Sequence, residues 1–132
     1  MPASPPAKRK PIRSRIVVVD DHRLATQVLA KLLRRHGYEV AEENDPRQAL
    51  ALARRFKPDL LILDVNMPWK SGYDLAADLA ADEVLCHVPI ILMTADVVAH
   101  RASTSLLPIL SKPFSIEDLF ACIRKALAAA DS

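Results

Sequence analysis

Five positions in this chain could do chemistry together. Asp20 and Asp21 stand in tandem, Asp64 and Thr94 stand singly, and Lys112 precedes a proline; each closes or closely follows a short aliphatic run. Taken one at a time they have ordinary explanations, because Asp pairs cap helices and Thr or Lys-Pro starts loops. As a set they have another. Three carboxylates gathered in one place repel each other unless a cation joins them. An all-oxygen donor set with retained waters suits magnesium, whereas zinc prefers histidine or cysteine. A carboxylate beside such an ion, facing a lysine and a hydroxyl, is equipped to accept a phosphoryl group. Asp64 is the candidate acceptor, with Asp20 and Asp21 holding the metal. Lys112 and the metal would neutralise the equatorial oxygens, and Thr94 would donate a hydrogen bond to one of them.

Such a set needs elements that bring distant residues to one edge. The runs Ile16-Val17-Val18-Val19, Leu60-Leu61-Ile62-Leu63 and Ile90-Ile91-Leu92-Met93 are continuous rather than alternating, the pattern of strands covered on both faces. Weaker strands are expected at 38–41 and at 107–110, the latter at an edge because Pro108 cannot donate to a ladder. Helical stretches alternate with these runs. Leu24, Val28, Leu29, Leu32 and Leu33 share one helical face, stopped by Gly37. Asp45 and Pro46 open a second helix that carries Ala49, Leu52, Ala53 and Phe56 inward before Pro58. A third is expected over 73–81, and a short fourth between Asp96 and about position 105. Ser115, with Asp118 three residues on, opens a last helix burying Ile116, Leu119, Phe120, Ile123 and Leu127. The alternation predicts an α/β domain with a parallel sheet, whose strand C-termini share one edge and place all five polar positions there.

Composition narrows the alternatives. The chain has 132 residues, 51% hydrophobic and 26% charged, which is one domain's worth of core. Only two glycines, Gly37 and Gly72, are present, so no glycine-rich nucleotide loop can be written. Cys86 and Cys122 are far apart and fit reduced thiols in a cytoplasmic protein. No apolar run approaches the roughly 18 residues of a membrane span. Lys8, Arg9, Lys10, Arg13 and Arg15 precede the first acid, Asp20, so residues 1–14 read as a flexible basic, proline-rich tail and 15–132 as the domain. With 5% aromatic content and its positive charge gathered in that segment, the chain is not expected to bind specific nucleic acid. His22, His36, His87 and His100 are scattered and read as surface residues, although His22 could reach the mouth of the site. Trp69 reads as a half-buried lid in preference to a partner contact.

From Arg15 to Ala130 the sequence resembles the receiver domain of two-component response regulators. The resemblance is carried by Val18-Val19-Asp20-Asp21, by Leu63-Asp64-Val65-Asn66-Met67-Pro68 with Gly72, by Met93-Thr94-Ala95 and by Lys112-Pro113-Phe114. It implies a doubly wound, flavodoxin-like sheet of order 2-1-3-4-5, with Asp64 as phosphoacceptor. It also implies Mg2+ at Asp64, held directly by Asp21 and the Asn66 backbone carbonyl and through water by Asp20, the Ala95 N–H joining Thr94 and Lys112 around the phosphoryl group, and a cis Lys112-Pro113 bond. Asn66 and Asp96 correspond to positions that tune phosphoryl loss. The implied donor is a sensor histidine kinase or phosphotransfer protein, whose specificity would be read at Arg23, Gln27 and Lys31. With the chain stopping at Ser132, the output is expected to be contact with an unknown downstream protein, as a monomer or a phosphorylation-dependent dimer. Such a domain is not an enzyme beyond catalysing its own phosphorylation and dephosphorylation. Two features depart from the family: Ile109 replaces an aromatic residue three positions before the lysine, and the stretch from Thr94 to Lys112 is short. They support an alternative, a pseudo-receiver that binds a protein partner without phosphorylation. A magnesium phosphatase would need a second Asp where Asn66 stands.

Overall fold

The computed structural model describes residues 13–103 and 105–131; most of the expected tail, 1–12, lies outside the described residues. Five strands form one parallel sheet: β1 (Arg15–Val19), β2 (Glu39–Glu43), β3 (Leu60–Asp64), β4 (Ile90–Thr94) and β5 (Ile109–Ser111). Their order is β2-β1-β3-β4-β5, as the resemblance implies. The helices are α1 (Arg23–Arg35), α2 (Ala49–Phe56), α3 (Gly72–Ala80), α4 (Val97–Arg101) and α5 (Ile116–Ala130), with a 3-10 turn (Pro46–Gln48) leading into α2.

The continuous apolar runs have a simple consequence here. Successive residues of a strand point to opposite faces, so a run without polar breaks feeds two cores at once. Ile16, Val18, Leu60, Ile62, Ile91 and Met93 meet α1 and α5, while Val17, Val19, Leu61, Leu63 and Leu92 meet α2 and α3. Each such side chain, removed fully from water, contributes about 1.5–3 kcal/mol before its ordering cost.

Helix ends follow local chemistry. The Asp45 side chain accepts from Arg47 N, Ser71 from Asp74 N, Asp96 from Ala99 N and Ser115 from Asp118 N. Gly37, at φ 91°, turns the chain out of α1 as expected.

Three expected inward residues face outward instead. Leu24, Val28 and Ile116 are exposed, because α1 turns Thr26, Leu29, Ala30 and Leu33 to the sheet and α5 turns Leu119, Phe120, Ile123 and Ala126. β5 begins at Ile109, so Pro108 lies just before the strand, where its carbonyl accepts from Leu92 N at 2.9 Å. Trp69 is no lid: it is 68% exposed, at φ 67°, with the Arg47 guanidinium 3.8 Å from its ring centroid. His100 is buried rather than on the surface. It stacks on Tyr73, whose hydroxyl lies 2.8 Å from its Nδ1, and so joins α4 to α3.

Candidate functional site

Parallel pairing sets the site. Val19 pairs with Leu63, so Asp20, just past β1, comes beside Asp64, the last residue of β3. On the other side Thr94 pairs with Ser111, which puts Lys112 just past the same edge. The Lys112-Pro113 peptide is cis.

The Lys112 Nζ donates to Asp64 Oδ1 at 2.6 Å and to Asp20 Oδ2 at 3.3 Å. Asp20, Asp64 and Thr94 are buried, and Lys112 is about a third exposed. Burial pushes the Asp64 carboxyl above the usual range; Lys112 pulls it back, and the charges of Asp20 and Asp21 push it up further. Burial pulls the Lys112 ammonium down, but its bonds and attraction to Asp64 and Asp20 outweigh that and hold it above an ordinary lysine. Lys112 is therefore a fixed cation beside an electron-rich carboxylate.

Asp20 is positioned by residues that sequence reasoning missed. Its backbone carbonyl accepts from Asn44 Nδ2 at 2.7 Å, and the same nitrogen lies 2.9 Å from Thr26 Oγ1. Asp20 N donates to Glu43 O at 3.1 Å, tying the acidic turn to the end of β2. A polar residue just past the second strand was the only available signal for Asn44. Asp20 Oδ1 accepts from His22 N at 3.0 Å, and His22 Nδ1 is 3.3 Å away, so His22 does reach the site.

Asp21 stands next to this pair, and its Oδ1 is shielded from solvent without a hydrogen-bond partner. His22 Nδ1 stands 3.4 Å from it without forming a hydrogen bond; a shielded carboxylate oxygen left without one is costly, and a metal cation would satisfy it. Thr94 Oγ1 accepts from Asp96 N at 3.0 Å, while Asn66 and Ala95 stand exposed on the loops that follow β3 and β4. Gly72 packs against the Asp64 backbone so closely that a Cβ would lie 2.4 Å from the Asp64 carbonyl oxygen. An apolar groove between α1 and the start of α5 runs from Leu24, Val28, Phe114 and Ile116 to Asp20 and Lys112.

The C-terminal edge of this doubly wound sheet thus gathers an acidic pair, a buried aspartate, a threonine and a lysine. Residues 16–124 match the response regulator receiver domain, and the chain belongs to that family of two-component signalling proteins. It is 38% identical over 119 residues to the transcriptional regulatory protein PdtaR of Mycobacterium tuberculosis, covering 86% of this chain and 57% of that protein. It is 37% identical over 121 residues to the DNA-binding response regulator MtrA of Mycobacterium leprae, covering 88% and 52%. The chain thus spans about half the length of these relatives.

Among solved structures it is similar to the chemotaxis protein CheY4 of Vibrio cholerae, with TM-score 0.78, 27% identity, and coverage of 87% of this chain and 99% of that one. It is also similar to the receiver domain of the sensor histidine kinase PA1611 of Pseudomonas aeruginosa, with TM-score 0.80, 27% identity and coverage of 89% and 99%. That structure has a magnesium ion coordinated in its active site cleft. Among the described residues no helix is long and apolar enough to cross a membrane.

Proposed function

We propose that this domain takes a phosphoryl group from a phosphohistidine of a sensor kinase or phosphotransfer protein onto Asp64, in the cytoplasm, and signals the change to a protein partner. The observation that carries this reading is the Lys112 Nζ, 2.6 Å from Asp64 Oδ1 on an edge shared with Asp20 and Thr94. The shielded Asp21 oxygen, which lacks a hydrogen bond, favours a metal at the same place, held by the carboxylates of Asp20, Asp21 and Asp64 and the Asn66 carbonyl. A bound Mg2+ would supply positive charge against the phosphoryl oxygens.

The chain's own residues do the rest. A carboxylate oxygen of Asp64 attacks phosphorus in line, the P–N bond breaks, and its electron pair returns to the donor imidazole. Lys112 stays charged and holds a phosphoryl oxygen. Thr94 uses a lone pair to accept from Asp96 N, which leaves its hydroxyl proton to donate to a second oxygen, beside the Ala95 N–H. The exposed apolar rim of Leu24, Val28 and Ile116, bordered by Arg23, Gln27 and Lys31 on α1, is where the donor protein docks. Residues 15–132 form the unit that does this.

Intact mass after incubation with acetyl phosphate and Mg2+ tests the reading. One phosphoryl group is expected on the wild type and none on Asp64→Asn or without the metal. No adduct, with no magnesium binding, would leave a phosphorylation-independent binding module.

A further inference from the structure

The site has one side chain for which neither helix chemistry nor phosphoryl transfer gives a role. His22 occupies the N-cap position of α1, where Ser, Thr, Asp or Asn would accept a first-turn N–H, and its side chain makes no cap bond. Its ring turns back to the acidic pair, with Nδ1 3.3 Å from Asp20 Oδ1 and 3.4 Å from Asp21 Oδ1. Asp20 divides its oxygens: Oδ2 faces Lys112 and Oδ1 faces His22. Asp21 Oδ1 is the shielded oxygen without a hydrogen-bond partner.

One nitrogen and two carboxylate oxygens from three consecutive residues lie within 4.8 Å of one another. Neighbouring ligands of an ion held tetrahedrally at about 2.0–2.1 Å are separated by about 3.3–3.4 Å, which is the spacing His22 Nδ1 keeps to both oxygens. Imidazole is a good ligand for zinc and its transition-metal neighbours, and magnesium favours oxygen and water. Three-quarters of the His22 side chain is exposed, so an ion can reach it without the sheet edge moving.

We propose that His22, Asp20 and Asp21 form a nitrogen-containing face of the metal site that binds a transition-metal dication of the zinc type more tightly than magnesium. The inference rests on the reading of the acidic cluster as a metal site. Its consequence is that His22 sets the metal preference of this domain, while the oxygen ligands alone serve magnesium.

The test uses the full chain, titrated calorimetrically with Mg2+ and separately with Zn2+, as wild type, His22→Gln and Asp21→Asn. His22→Gln is expected to weaken Zn2+ binding by about tenfold or more and to leave Mg2+ binding within about twofold. On the first equivalent of Zn2+, the imidazole nitrogen resonances of His22 should shift while those of His36, His87 and His100 hold. Zn2+ affinity unchanged in His22→Gln, with Mg2+ binding lost in Asp21→Asn, would overturn the role of His22 and leave the metal site standing. Absence of binding by either ion to the wild type would overturn both.

Discussion

Replacing Gly72 by alanine tests how Asp64 is held. The new methyl carbon would lie 2.4 Å from the Asp64 carbonyl oxygen, 2.9 Å from Val65 Cα and 3.0 Å from the Asp64 carbonyl carbon. All three are backbone atoms, so no side chain can rotate away, and ordinary contact requires the segments to part by about 1 Å. β3 is buried throughout and paired on both sides, and Gly72 N is bonded to Val65 O at 2.9 Å. Overpacking of this kind costs about 1–3 kcal/mol. Alanine's better helix propensity returns up to about 1 kcal/mol at the start of α3. The net loss is then about 1–2 kcal/mol, or a fall in Tm of roughly 3–10 °C. A comparable shift of Asp64 would stretch its 2.6 Å bond from Lys112 past hydrogen-bonding range.

Gly37→Ala is the matched control. That glycine sits at φ 91° between α1 and β2, at the opposite edge of the sheet, and a methyl added there would meet nothing within 4 Å. Its cost is backbone strain of about 1–2 kcal/mol, with no route to Asp64. Urea denaturation and the rate of labelling by acetyl phosphate, read side by side, should show similar stability losses but a slowing of about tenfold or more only in Gly72→Ala. Equal labelling rates in the two variants would refute the argument that this close approach positions the acceptor.

Three further outcomes are expected. Lys112→Ala should slow labelling yet tighten magnesium binding, on the order of tenfold by calorimetry, because a cation bonded to Asp64 and Asp20 no longer opposes the ion. Leu24→Asp with Val28→Asp should leave stability within about 1 kcal/mol and labelling by acetyl phosphate unchanged, since both side chains are exposed; transfer from a phosphohistidine protein should fall about tenfold or more. The side-chain hydrogen bond from Arg54 lowers the Asp82 carboxyl below its ordinary 3.8, so this interaction stabilises the fold above that value and is lost as pH falls through the lower folded value. Urea midpoints should therefore place Asp82→Asn below wild type at pH 7, with the gap closing in acid below about pH 4.

The strands and the site were legible for the same reason. Residues such as Val17 and Val18 must both be apolar when each feeds a different core, so unbroken runs mark central strands, and whatever polar residue ends a run falls on the shared edge. Helix faces were less legible where apolar residues exceed the buried stripe. In α1 the phase is decided by Thr26, fully buried because its hydroxyl donates to Arg23 O and meets Asn44 Nδ2. That partner lies 18 residues away, and its satisfaction lets a threonine displace Leu24 and Val28 from the core. His100 is a similar case, since only its pairing with Tyr73, 27 residues earlier, accounts for a buried imidazole. Periodicity reads one element at a time, and these positions are settled between elements.

The same pairing bears on how Thr94 connects to the rest of the domain. Its hydroxyl accepts from Asp96 N, the Asp96 carboxylate caps α4 at Ala99 N, and one residue on, His100 stacks against Tyr73 of α3. Ile109, where the family usually carries an aromatic residue, is aliphatic and packs on the same core as Tyr73. The contacts leading away from the Thr94 hydroxyl therefore run through the cap of a five-residue helix into α3, while the Thr94 carbonyl accepts from Lys112 N beyond β5; the aromatic surface beside the hydroxyl's route comes from Tyr73 and His100. A short α4 suits that arrangement: its single turn is capped by Asp96 at one end and held to Tyr73 through His100 at the other.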